Sequence, residues 1–114
     1  MAPKLILADL DGTLLDEKKH LTPRSRAALE RAAASGAQVV IATGRFFGGV
    51  PDFLKELPFL RYFILMNGAK VYDRETDTVL YRAEIPLDTA QAVYRLLEGL
   101  GLSLIHISEP TRLR

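Results

Sequence analysis

Three short apolar runs, each closing on small or polar residues, constrain this chain more than any other feature. They are L-I-L-A-D-L over residues 5–10, Q-V-V-I-A over 38–42 and Y-F-I-L-M over 62–66. Nearly continuous apolar runs of this length read as strands buried on both faces of a parallel sheet. The intervals between them carry helix signals. Thr22-Pro23 reads as an N-cap followed by proline at the first helical position. The Ala-rich stretch to Ser35 is a good helix former, and Gly36 ends it. A weaker helix is expected over residues 46–57, where Gly48, Gly49 and Pro51 work against it. Strand, crossover helix and strand, twice over, define an α/β fold with a parallel sheet and right-handed connections.

After Ala69 the pattern changes. Residues 70–73 and 79–84 read as two strands joined by the polar turn R-E-T-D-T, an antiparallel hairpin. Residues 86–99 read as a helix with Leu87, Ala90, Val93, Tyr94, Leu97 and Leu100 on one face. This shift from parallel to hairpin pattern is the candidate domain boundary. The stretch from residue 102 to 112, L-S-L-I-H-I-S-E-P-T-R, resembles a translated sequencing adapter. Residues 102–114 are accordingly read as a non-native tail.

Composition narrows the function classes. The chain of 114 residues has a net charge of +1 and no cysteine. The balanced charge gives no electrostatic case for nucleic acid or an anionic membrane as partner. The missing cysteines remove disulfides, thiolate metal sites and Cys nucleophiles, and fit a reducing, cytoplasmic setting. The apolar run near the N-terminus is too short for a signal-peptide core, and no segment reaches membrane-spanning length.

The chemistry-bearing residues cluster at the carboxyl ends of the three expected parallel strands, the edge at which open α/β sheets bind ligands. Asp9 and Asp11 close the first strand. Residues two apart in an extended segment point to the same side. Two carboxylates that close invite either a cation or a shared proton. Mg²⁺ suits such a pair, being a hard ion held by one or two carboxylates plus water and phosphate. A carboxylate can also attack phosphorus, and a second one can act as general acid and base. Gly12 and Thr13 offer backbone N–H groups to phosphate oxygens. Thr43 and Gly44, after the second strand, make a small anion site, with Arg45 able to reach an anion or to pair with a carboxylate. Asn67-Gly68, after the third strand, is either a plain turn or a polar contact at the mouth of the site. Lys18, Lys19 and His20 read as a solvated loop.

The runs D-L-D-G-T-L-L, V-I-A-T-G-R and L-M-N-G-A together resemble the haloacid dehalogenase superfamily, in its Cof-like branch, from about residue 4 to 101. The resemblance implies a Rossmann-like core and a Mg²⁺-dependent phosphohydrolase of small phosphorylated metabolites such as sugar phosphates. It makes Asp9 the nucleophile, through an aspartyl-phosphate, and Asp11 the general acid/base. The metal would be held by the Asp9 side chain and the Asp11 backbone carbonyl. Thr43 and Gly44 would hold the phosphoryl group, and Asn67 would lie near the substrate. Residues 1–83 would be the N-terminal part of the catalytic core. The hairpin and the following helix would begin a C2-type cap, with residues 84–101 as the start of the cap domain. The family's later lysine and acidic residues do not occur in this chain, so an inactive and poorly soluble fragment is expected. A phosphomutase of the same superfamily and a receiver-like phosphoacceptor without turnover stand as alternatives.

Overall fold

The computed structural model describes residues 4–101; the adapter-like stretch lies outside them. One five-stranded sheet has the order β1-β2-β3-β4-β5. β1 (Leu5–Asp9), β2 (Gln38–Ala42) and β3 (Leu60–Leu65) run parallel, and β4 (Lys70–Asp73) and β5 (Thr78–Arg82) continue it antiparallel. The hairpin therefore extends the core sheet from the β3 edge. The chain divides by internal contacts after it, between Ala83 and Glu84.

The first crossover helix, α1 (Pro23–Ala34), is capped as the sequence suggests: Thr22 Oγ1 accepts the Ser25 N–H at 3.2 Å. Gly36 leaves the helix with φ +101°, a conformation glycine adopts without the clash a Cβ brings. The second expected helix is broken. A 3₁₀ turn at Phe47–Gly49 and a single α-turn, α2 (Asp52–Lys55), replace it. Two glycines and a proline in four residues remove both the propensity and a backbone donor.

Both crossovers step in the same direction across the sheet, and connections of the same hand then put α1 and α2 on the same face. Leu29 of α1 and Leu54 of α2 join one core with Val39, Ile41, Phe63 and Leu65. The consequence is a correction to the sequence reading of β1. Its side chains alternate, with Leu5 and Leu7 each 57% exposed on the other face. Residues 84–101 form a second unit containing α3 (Leu87–Gly99), whose Leu87, Leu96 and Leu100 are exposed. No helix among the described residues is long and apolar enough to cross a membrane.

At the far end of the sheet from the strand carboxyl ends, Arg61 makes a two-pronged contact with the buried carboxylate of Asp73, at 2.9 and 2.8 Å. Asp73 also accepts the Glu75 N–H at 3.0 Å, closing the hairpin turn. The Arg61 contact holds the Asp73 carboxyl well below the usual carboxylate range. A depressed folded value gives stability that is present above the ordinary carboxylate pKa of about 4 and is lost on acidification below it. Thermal melts followed by circular dichroism should show the wild-type chain losing stability between pH 6 and pH 3, and Asp73→Asn losing less over the same interval. Phe63, fully buried, should be the costliest core truncation. Urea unfolding of Phe63→Ala is expected to show a loss of about 3–5 kcal/mol.

Candidate active site

The parallel ladder brings three strand ends to one level. Asp9 lies opposite Ala42, and Ala42 opposite Ile64. Each strand then turns away, and the turns enclose an open cleft of about 360 Å³ lined by Asp9, Ala42, Thr43, Gly44, Ile64, Asn67 and Gly68. Five residues singled out from the sequence at three separate places, Asp9, Thr43, Gly44, Asn67 and Gly68, therefore share one cavity. Gly12, Thr13, Asp11 and Arg45 are not in its lining.

After β1 the chain folds into a tight turn. Leu14 and Leu15 N–H groups return to the Leu10 carbonyl at 3.1 and 2.9 Å, and Gly12 sits at φ +77°. The Thr13 N–H, read from the sequence as a phosphate donor, lies 3.3 Å from the same carbonyl and is partly occupied by the turn. Asp9 accepts the Leu10 N–H on Oδ1 at 2.8 Å, which orients its carboxylate.

The second and third strand ends are stitched together. The Thr43 N–H donates to Ile64 O at 2.9 Å, the Asn67 N–H to Thr43 O at 3.1 Å, and the Met66 N–H to Arg45 O at 3.0 Å. To make these contacts, Met66, Asn67 and Gly68 adopt φ of +53°, +55° and +98°. Asparagine and glycine tolerate this region, but methionine does so at a cost, and such strain persists where surrounding contacts hold it. Gly44 faces the Asn67 side chain so closely that a Cβ there would lie 3.0 Å from Asn67 Oδ1. Thr43 is buried, and its hydroxyl accepts the Arg45 N–H at 3.1 Å. Asn67-Gly68 is thus both a turn and part of the cleft wall.

Arg45 takes the second of its two sequence readings, pairing with a carboxylate. Its guanidinium forks onto Asp11, Nη2 to Oδ1 at 2.6 Å and Nε to Oδ2 at 3.0 Å, while Nη1 donates to Gly49 O at 2.8 Å. Lys19 Nζ adds a second cation on Asp11 Oδ1 at 3.0 Å. Lys19 lies on an exposed loop, as read from the sequence, and the ion pair with Asp11 is added by the structure. The signal for it was Asp16, whose carboxylate accepts the Lys18 and His20 N–H groups at 2.9 and 2.8 Å and builds the turn that carries Lys19. Arg45 first, and then Lys19, hold the Asp11 carboxyl down at about 2. In this arrangement Asp11 is an anion at neutral pH, and it must leave its cations to carry a proton. Among the described residues, no group of three or more His, Cys, Asp or Glu side chains converges on a metal position.

An α/β sheet whose parallel strands end in paired aspartates, a Thr-Gly turn and an Asn-Gly turn places this chain among the α/β proteins that present polar residues at the carboxyl edge of the sheet. Comparison with known proteins narrows the class. The family model of haloacid dehalogenase-like hydrolases matches residues 6–111, and the chain belongs to that family. It is 39% identical over 106 residues to the pyridoxal phosphate phosphatase YbhA of Escherichia coli (strain K12), covering 93% of this chain and 38% of that protein. It is 39% identical over 72 residues to the phosphatase YwpJ of Bacillus subtilis (strain 168), covering 63% of this chain and 25% of that one. A solved haloacid dehalogenase-like hydrolase from B. subtilis superposes with a TM-score of 0.75 at 33% identity, over 86% of this chain and 34% of that one. A solved subclass IIB sugar phosphatase superposes with a TM-score of 0.75 at 31% identity, over 86% of this chain and 38% of that one. The chain spans 36% to 42% of the length of the first three curated relatives it matches.

Removing the Arg45 fork should release Asp11. In Arg45→Met, the Asp11 carboxyl followed by ¹³C NMR is expected to titrate above about 2, toward the ordinary carboxylate range. Titration of Asp11 at its wild-type position in that variant would show that Arg45 does not hold it.

Proposed function

We propose that this chain carries the nucleophile and phosphate-binding half of a phosphohydrolase acting on small phosphorylated metabolites. The observation that carries the reading is the meeting of Asp9, Thr43, Gly44 and Asn67 in one cleft at the carboxyl edge of the parallel sheet. Family membership supports it, and so do relatives described as pyridoxal phosphate and sugar phosphatases.

On this reading the Asp9 carboxylate attacks phosphorus, the bond from phosphorus to the leaving oxygen breaks, and Asp11, having left its cations and taken a proton from solvent, gives that proton to the leaving oxygen. Asp11 then takes a proton from water, which attacks the aspartyl-phosphate, frees inorganic phosphate and restores Asp9. On this reading Thr43 and Gly44 hold the phosphoryl oxygens through the hydroxyl and the backbone N–H, and Gly12 and Thr13, on the first strand's turn outside the cleft lining, are further candidate donors. Gly44 lets Asn67 stand against the phosphate position, since a Cβ would crowd its Oδ1. The donor chemistry at this edge fits Mg²⁺. The Asp9 carboxylate and the Asp11 backbone carbonyl are hard oxygen donors, and the Asp11 carboxylate is already engaged by Arg45 and Lys19. When bound, Mg²⁺ supplies charge compensation between the carboxylate and the phosphoryl oxygens.

Residues 1–83 then form the N-terminal part of the core, and residues 84–101 begin a cap that would cover the cleft and select the substrate. The lack of cysteine fits a cytoplasmic setting. Phosphoryl transfer depends on positioning and charge neutralisation from several sides. The 114-residue chain is therefore expected to hydrolyse p-nitrophenyl phosphate slowly or not at all, while inorganic phosphate with Mg²⁺ shifts the amide resonances of Thr43, Gly44 and Asn67. Rapid hydrolysis that disappears in Asp9→Asn would contradict the expected inactivity. Amide shifts confined to residues away from the cleft would contradict the site itself.

A further inference from the structure

Two cations reach the general acid/base from different parts of the chain. Lys19 comes from the loop after β1, and Arg45 from the end of β2. Between them they bring two positive charges to one carboxylate, with Lys19 and Asp11 half-exposed. Neither cation is saturated. An ammonium has three donors, of which Lys19 spends one on Asp11. A guanidinium has five, of which Arg45 spends three, on Asp11 and Gly49. The loop is built to place the lysine. Asp16 accepts two backbone N–H groups of the turn through its side chain, the Lys19 N–H donates to Asp16 O at 2.9 Å, and Lys19 itself takes the left-handed φ of +62°. Left-handed backbone at a lysine is a local cost that the turn's hydrogen bonds offset.

The present occupant of this pair shows what it accepts. Asp11 is a carboxylate, taken by Arg45 in the planar two-pronged mode that matches carboxylate geometry. On the proposed function, Asp11 must meet the leaving-group oxygen during reaction. Lys19 and Arg45 lie one hydrogen bond beyond Asp11, so they stand roughly 5–6 Å from that oxygen, the reach of a substituent one or two carbons away.

We propose that Lys19 and Arg45 form a carboxylate-binding subsite, and that the favoured substrates are phosphomonoesters bearing a carboxylate one or two carbons from the ester oxygen. The substrate carboxylate replaces Asp11 on the two cations, and the exchange frees Asp11 to turn toward the leaving oxygen. Charge is conserved at the cation pair, since one carboxylate leaves as another arrives. Lys19 is then a specificity-determining residue. The inference rests on the phosphohydrolase reading, and its test separates the two.

The test compares 2-phosphoglycolate with ethyl phosphate, which has the same phosphate and no carboxylate, binding to the full 114-residue chain in Mg²⁺ by ¹⁵N–¹H NMR titration. The wild-type chain is expected to bind 2-phosphoglycolate about fivefold more tightly, the scale of one partly exposed charge contact. That preference should fall toward one in Lys19→Met and be retained in Lys19→Arg. Equal binding of the two esters by the wild type, or a preference that survives Lys19→Met, would overturn the subsite while leaving the phosphate site standing. Binding of 2-phosphoglycolate that shifts Lys19 and Arg45 but not Thr43 or Gly44 would overturn the phosphohydrolase reading, and with it the substrate class named here. Lys19 is exposed on a loop, so loss of folding does not confound the variants.

Discussion

The backbone ladder that sets Asp9 beside Ala42, and Ala42 beside Ile64, fixes three remote chain segments at one height. Everything at the cleft follows from it. Because the strands are parallel, their carboxyl ends share one edge, and whatever residue follows each strand is delivered there. The stitching of the second and third turns, through Thr43, Arg45, Met66 and Asn67, converts that shared height into a wall with a fixed shape. A register slip of one residue in β2 would turn the side chains at its end toward the opposite face.

The same ladder explains the charge arrangement. Asp11 and Arg45 are 34 residues apart in the chain, yet their side chains meet because β1 and β2 end together. The fork between them keeps Asp11 ionised and turned aside. On the proposed function, a proton-transfer group held this way has to be released from its cations, and an arriving anion would release it. Asp9, by contrast, accepts its neighbour's N–H and lines the cleft directly. Two aspartates two residues apart thus have different hydrogen-bond partners, which on the proposed function matches two different tasks.

Much of this was legible from the sequence, and particular residues show where legibility stopped. The three apolar runs gave the parallel strands, and Thr22, Pro23 and Gly36 gave the ends of α1, because each is a local steric or hydrogen-bonding signal. The helix over residues 46–57 failed although Gly48, Gly49 and Pro51 were in plain view; their combined effect is two short turns. The burial of β1 on both faces failed for a non-local reason, since the direction of both crossovers puts their helices on one face. Asp9, Thr43, Gly44 and Asn67 could be grouped because strand ends share an edge. Lys19 could not, because its contact with Asp11 depends on how a polar loop folds back over the strand end. The left-handed Met66 carries no sequence signal, since methionine has no preference for that conformation.

On the proposed function, Asp9 accepts the phosphoryl group. Trifluoroberyllate mimics a phosphoryl group on a carboxylate, and its binding can be followed by ¹⁹F NMR in the presence of Mg²⁺. A bound resonance is expected in the wild-type chain, accompanied by shifts of the Thr43 and Gly44 amides, lost in Asp9→Asn and retained in Asp73→Asn. A bound resonance that survives Asp9→Asn, or the absence of any bound resonance in the wild type, would contradict it.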